Sequence, residues 1–346
     1  MRRGEEIDSR SLSNYLSSRG IAGEIELSQF PGGSSNLTYL IKVEDKEYVL
    51  RRPPFGNTVK TAHDMRREFD VLSKLSKVYS PAPRPLLYCD DDSVIGSEFY
   101  LMERRQGLII RGGEPEGSLA TQTERLDVCR AFIENLVALH SIDYRTVGLG
   151  EIGKPDGYNR RQVEGWTKRY LAAKTREWPD IERIIVWLND NVPPESGAAI
   201  IHNDYKFDNV MLDPGDLKKV VAVLDWEMVT IGDPVMDLGT TLGYWLSRDA
   251  GEEMLSLPFN PHVLMENITR PELVEMYAKA SGRELPEWSF YHIFGTFKIA
   301  VIVQQIFARY ARGVTRDPRF AGFDKLVGAL GGIAAHSFPK IDRQPG

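Results

Sequence analysis

Cysteine is scarce in this chain. Cys89 and Cys129 stand alone in 346 residues, without CxxC spacing, so neither a disulfide framework nor a thiolate metal cage can be built. That scarcity suits a reducing compartment, and the expected location is cytoplasmic. A stripe of one charge sign is also missing. Lys and Arg total 43 against 49 Asp and Glu, interleaved along the length, which argues against nucleic acid as a partner. The net charge of -6 divides as -1 through Arg104 and -5 beyond it, too diffuse to locate a cationic substrate. The opening MRRGEEIDSR has no apolar stretch after its charges, so no cleaved signal peptide is expected. The most apolar segment, 290–310, is interrupted by His292, Lys298, Gln304 and Gln305. It reads as a buried core helix rather than a membrane span. Histidines at H-E-x-x-H spacing are absent, which removes zinc hydrolysis of that kind.

Apolar material is ample. A hydrophobic share of 42% and a charged share of 27% are those of an ordinary folded enzyme. At 346 residues the chain exceeds what one core usually holds, so two packed lobes are expected. The first hundred residues read as a small sheet with one helix. Alternation up to Phe30 breaks at Pro31-Gly32-Gly33-Ser34-Ser35-Asn36. Residues 38–43 and 48–52 then alternate around a polar turn, predicting a hairpin that Pro53-Pro54 stops. Ala62, Met65, Phe69, Leu72 and Leu75 recur at three- and four-residue steps, predicting an amphipathic helix over 59–78 that carries Glu68. A strand over 98–102 runs into Glu103-Arg104-Arg105-Gln106-Gly107, where the lobe boundary is expected. Beyond it Leu126, Cys129, Phe132, Ile133, Leu136, Val137 and His140 line one face of a helix.

The recognisable chemistry is concentrated in 200–239. His202-Asn203-Asp204-Tyr205-Lys206-Phe207-Asp208-Asn209 is an oxygen-rich loop between short strands, and Asp225-Trp226-Glu227 follows a later strand. Phosphoryl transfer needs metal ions on the phosphate oxygens and a carboxylate to take the incoming hydroxyl's proton. Asp204, Asn209 and Asp225 supply that set: Asp204 as base, Asn209 and Asp225 as oxygen ligands for a hard ion such as magnesium.

These residues resemble the aminoglycoside phosphotransferase family, a branch of the protein-kinase-like superfamily with the signature H-x-D-x-x-x-x-N, a strand hairpin and a D-x-E-like metal motif. His202, Asp204, Asn209 and Asp225 fall on that pattern. The resemblance implies ATP and Mg2+ as cofactors. It also implies an α+β kinase-like fold: an antiparallel-sheet N-lobe with one main helix over 1–104, which binds nucleotide, and a larger, mostly helical C-lobe over 105–346. It gives Lys206 a charge-neutralising role and Asp237, in the similar continuation Gly232-Asp233-Pro234 to Asp237-Leu238, the role of buttressing the catalytic loop.

In the same pattern a Gly-rich loop covers the phosphates, a strand Lys pairs with them and a helix Glu orients that Lys. Here the loop is Gly32-Gly33-Ser34-Ser35-Asn36, which would use Gly33, Ser34 and Ser35, or would be a plain hairpin turn. The two-residue strand period places Val49 and Arg51 on one face and Arg52 on the other, so Arg51 takes the Lys position with Glu68 as its partner. The alternative makes Arg51 and Arg52 a solvated sheet edge and Glu68 a surface residue. Met102-Glu103-Arg104-Arg105 is similar to the hinge, which implies that the Glu103 carbonyl and the Arg105 amide face the adenine.

A protein kinase would share this fold, but the stretch after Asp225 is too short for a long activation segment and no A-P-E closes it. A small-molecule hydroxyl is therefore the expected acceptor. The alternative is a catalytically silent kinase fold acting as a binding module. Tyr48-Val49-Leu50-Arg51-Arg52-Pro53-Pro54, with the 202–206 loop, is similar to a subgroup found alone or fused to acyl-CoA dehydrogenase domains. That implies a hydroxylated acyl acceptor over an antibiotic. Glu252, Glu253, Glu266 and Glu275 could meet aminoglycoside ammonium groups but read equally as solvated helix faces. Tyr244 and Trp245 could line the acceptor pocket but read rather as core.

Overall fold

The computed structural model describes residues 5–30, 36–54, 64–111, 119, 121–245, 264, 268–285 and 287–338. The chain divides into two compact units, Met1–Gly107 with Val221–Glu227, and Leu108–Val220 with Met228–Gly346.

The first unit contains α1 (Ser9–Ser18), β1 (Ile25–Gln29), β2 (Leu37–Val43), β3 (Lys46–Arg52), α2 (Met65–Leu75), β4 (Pro85–Cys89), α3 (Asp92–Ile95) and β5 (Phe99–Glu103). The strands form one antiparallel sheet in the order β1-β2-β3-β5-β4. Leu37, Tyr39, Ile41 and Val43 of β2, with Leu50, Phe99 and Leu101, pack on Leu12 and Leu16 of α1 and Val94 and Ile95 of α3. The opposite face meets α2, whose Met65, Glu68, Val71, Leu72 and Leu75 are buried. Because side chains alternate across a strand, Arg51 and its β5 partner Tyr100 turn towards α2. Arg52 turns the other way and donates to the Ile95 carbonyl at 2.8 Å.

Two of these readings bear on this unit. β3 is an inner strand, and Arg51, Arg52 and Glu68 are all buried, which removes the solvated-edge alternative. Asp225, expected with 105–346, lies in the first unit. The Val223 N–H donates to the Pro81 carbonyl at 2.8 Å and Trp226 packs edge-on against Tyr79, which ties this segment to the sheet unit. The helix expected over 59–78 is described as α2 from Met65 to Leu75, and 55–63 lie outside the described residues.

The second unit contains α4 (Gln122–His140), α5 (Tyr158–Ala173), α6 (Pro179–Asp190), β6 (Ala199–Ile201), β7 (Val210–Asp213), β8 (Asp216–Val223, whose end enters the first unit), β9 (Thr230–Gly232), α7 (Pro234–Tyr244), α8 (Arg270–Ser281), α9 (Trp288–Ala311) and α10 (Phe323–His336). A reciprocal cap between Thr121 and Glu124 starts α4. α9 is long and apolar enough to cross a membrane, but 72% of its apolar window is buried inside the fold. Two of its polar residues donate within the fold: Gln304 to the Ala173 carbonyl at 3.0 Å and Lys298 to the Asn203 carbonyl at 2.6 Å.

Glycines set how closely α7 and α9 approach. A Cβ on Gly295 would stand 1.9 Å from the Gly239 carbonyl oxygen, and one on Gly243 would stand 2.7 Å from Gly295 backbone carbon. The backbones touch there, which fixes α7 against α9 and so fixes the side chains both helices send to the 202–209 loop. Gly295→Ala gains about 1 kcal/mol of helix propensity but overpacks an immobile contact, typically worth about 1–3 kcal/mol and more where backbone must move. We expect a net loss of about 2 kcal/mol in urea unfolding; a variant as stable as wild type would show that the two backbones are not in contact.

Candidate active site

Each unit gathers its own cluster. In the first, the Arg51 guanidinium reaches three carboxylates. Nε lies 3.5 Å from Glu68, and Nη2 lies 3.0 Å from Asp225 and 4.0 Å from Glu227. Burial opposes charge on Arg51, but the fields of Glu68, Tyr100, Asp225 and Glu227 outweigh it and hold its pKa well above the usual value. Burial pushes the Glu68 carboxyl up, against the pull of Arg51. Glu227 also accepts from Asn36 Nδ2 at 2.9 Å, which ties Asn36 to the segment bearing Asp225. Asp225 holds φ at 65°, a left-handed conformation that non-glycine residues adopt mainly where their surroundings enforce it.

Of the other expected nucleotide residues, Val49 is buried opposite Leu40 and Met102. Glu103 ends β5, accepting the Arg84 N–H at 2.9 Å and pairing with Arg105 at 2.8 Å. Gly33, Ser34 and Ser35 lie outside the described residues.

In the second unit the loop after β6 is built around Asp237, whose side chain is fully buried. Its Oδ2 accepts the His202 N–H at 2.7 Å and lies 3.1 Å from His140 Nε2, while Oδ1 accepts the Asn203 N–H at 2.7 Å. With its proton on Nε2, His140 can accept from the Tyr277 hydroxyl, 2.8 Å from Nδ1. Asn203 holds φ at 67° and is gripped by Tyr158, Lys298 and the Met228 carbonyl. Tyr205 is buried as a prop, its hydroxyl donating to the Phe132 carbonyl at 2.8 Å and its own carbonyl accepting from Thr241 at 2.9 Å.

Asp204 follows this strained residue, and its carboxylate is engaged on both oxygens. Oδ2 accepts from Lys206 Nζ at 2.7 Å and Asn209 Nδ2 at 2.9 Å; Oδ1 accepts from the Tyr244 hydroxyl at 2.8 Å. Burial opposes its ionisation, but Lys206 and the Tyr244 hydrogen bond outweigh that and keep its pKa below the ordinary carboxylate value. The structure thus brings Asp204, Lys206, Asn209, His202 and Asp237 together in this unit.

Sequence reasoning assigned two residues of this cluster no contact with the loop. Tyr244, read as core, is half-buried and holds the Asp204 carboxylate, whereas Trp245 is core, donating to the Ile268 carbonyl at 2.7 Å. The signal was helical spacing: Asp237, Thr241 and Tyr244 fall on one face of α7, so a helix that presents Asp237 to the loop presents all three. Lys298 was noted only as an interruption in an apolar run.

A model of the phosphotransferase enzyme family, APH, matches residues 26–291. The chain belongs to that family. It is 36% identical over 324 residues, 89% of the chain, to acyl-CoA dehydrogenase family member 11 of Rattus norvegicus, and spans 40% of that relative's length. Among solved structures it is similar to a proposed aminoglycoside phosphotransferase of Ralstonia eutropha JMP134, with 29% identity and a TM-score of 0.80, covering 96% of this chain and 98% of the other. It also shares the fold of aminoglycoside phosphotransferase APH(4)-Ia, solved with ADP and hygromycin B, at 14% identity and a TM-score of 0.60, covering 95% and 99%. The fold is the mixed α/β kinase-like one, with a small antiparallel-sheet unit and a larger helical unit.

Asp237 is also expected to make the second unit acid-sensitive. Burial alone would raise its pKa, but the bonds from His140 and the loop N–H groups hold it below the ordinary value. A depressed native pKa contributes stability that is present above the unfolded value, about 3.9, and lost as pH falls through the native one. Asn has one oxygen for these three donors, so Asp237→Asn should cost about 3 kcal/mol at pH 7. Urea midpoints measured from pH 6 to 3 should fall less steeply in the variant; parallel curves would show that Asp237 is not the acid-sensitive anchor.

Proposed function

We propose that this phosphotransferase moves the γ-phosphate of ATP to a hydroxyl of a small molecule, with Asp204 as the catalytic base. The observation that carries this reading is the Asp204 carboxylate itself, held ionised by Lys206, Asn209 and Tyr244 on a loop that Asp237 anchors. A carboxylate of low basicity suits a loose transition state, in which the base orients the hydroxyl and takes its proton late. The acceptor hydroxyl must share or displace the Tyr244 hydrogen bond at Oδ1, and its proton passes to Asp204. Lys206 offsets charge on the transferring group.

Asn209, whose NH2 donates to Asp204, would offer its amide oxygen to a hard divalent ion, and Asp225 would offer a partly exposed carboxylate. Magnesium, when bound, would neutralise charge on the nucleotide's phosphates. Arg51, with Glu68, would pair with the same phosphates. ADP in the related APH(4)-Ia complex supports nucleotide use.

The relative's name, an acyl-CoA dehydrogenase family member, favours a hydroxyacyl acceptor over an antibiotic. Of the carboxylates considered for aminoglycosides, Glu275 is exposed on α8, and Glu252, Glu253 and Glu266 lie outside the described residues. The second reading, a silent binding module, draws on the Arg51–Asp225 ion pair, which a metal–nucleotide complex would have to loosen.

Purified protein with MgATP should release ADP in the presence of a hydroxyacyl-CoA and not with choline or kanamycin; turnover of kanamycin alone would reverse the acceptor preference. Asp204→Asn should lower turnover by roughly two to four decades while leaving ATP affinity nearly intact, and an unchanged rate removes Asp204 from the role. In calorimetry, Asp225→Ala should abolish the magnesium dependence of nucleotide binding. Persistence of that dependence would place the metal on other residues.

A further inference from the structure

Lys298, in the middle of α9, is 2% exposed. Its Nζ donates to the Asn203 carbonyl at 2.6 Å, with Thr240 Oγ1 at 3.3 Å and Asn203 Oδ1 at 3.4 Å. It also lies 5.6 Å from the centre of the Trp166 ring. That carbonyl belongs to the peptide unit joining Asn203 to Asp204. At the other end of the same unit, the Asp204 N–H donates to His202 Nδ1 at 3.3 Å. A planar amide is thus held at both its oxygen and its nitrogen, and its tilt sets the direction in which the Asp204 side chain leaves the loop. Asn203 precedes this unit in a left-handed conformation, which relaxes unless neighbours over-determine it.

Resting on the reading of Asp204 as base, we infer that Lys298 is a positioning residue whose buried ammonium locks the Asn203–Asp204 peptide and keeps the Asp204 carboxylate aimed at the acceptor hydroxyl. The direct partners of the ammonium are oxygens of neutral groups. Burial pushes its pKa down to about 8; Asp237 of α7 and Asp204 favour its charge, and Lys206 of the loop and Arg169 of α5 oppose it. A charge held at such a cost is poor stabilising material, since apolar side chains of similar size often replace buried charges without loss. A role that is only structural therefore predicts a different outcome from a positioning role.

The test compares Lys298→Met, which keeps the length and removes the donor, with Lys298→Gln, which keeps an N–H. ADP release is followed with MgATP and 3-hydroxybutyryl-CoA, and with MgATP alone. Lys298→Met should melt at or above the wild-type temperature, lose about 10- to 100-fold in kcat and keep its KM for ATP within about twofold. Lys298→Gln should recover part of the rate. The wild-type rate should decline above about pH 8, a limb missing from Lys298→Met. Independently of turnover, hydrogen exchange over 199–207 should speed up in Lys298→Met. A kcat within threefold of wild type with unchanged exchange overturns the inference, as does a rate loss that only tracks loss of folded protein. If wild type releases no ADP with or without 3-hydroxybutyryl-CoA while exchange still rises in Lys298→Met, the tether stands and the phosphotransfer reading falls.

Discussion

Two backbone N–H groups, those of His202 and Asn203, end on the single buried carboxylate of Asp237, and the second unit's chemistry depends on that junction. A β-strand ending in the interior must find acceptors for the donors it can no longer pair. Asp237 supplies them from the first turn of α7 and takes a third bond from His140 of α4. Strand, helix and loop are thereby locked together. The left-handed Asn203 is tolerated because Tyr158, Lys298 and the Met228 carbonyl also hold it, and Asp204 leaves the loop in a defined direction.

The first unit solves a different problem with a guanidinium. A lysine ammonium is a point charge and could not face several carboxylates along two edges. Arg51 presents Nε to Glu68 and Nη2 to Asp225 and Glu227, so one side chain links the sheet, α2 and the segment that bears Asp225. The same fork suits paired phosphate oxygens. Arg51 thus keeps a fixed positive charge beside α2 with several anchor points.

Membership of the phosphotransferase family names no acceptor. The chain spans only about two-fifths of the rat relative, so the remainder of that protein has no counterpart in the 324 residues compared. Around Asp204 the structure adds the Tyr244 hydroxyl to the side chains expected from sequence.

Local pattern in the sequence carried a good deal. Strand alternation put Arg51 and Arg52 on opposite faces, and the structure agrees because pleating is a property of the backbone. The helical period over 126–140, the short strands around 202–209 and the exclusion of a disulfide framework were equally legible, each resting on spacing or composition. Pairings between distant segments were not. The union of Asp225 with the first unit, the Tyr244 hydroxyl on Asp204 and the reach of Lys298 across 95 residues to Asn203 came only from tertiary structure. Sequence determined which side chains share a face of one element; which faces meet was decided by packing, above all where glycines let α7 and α9 touch backbone to backbone.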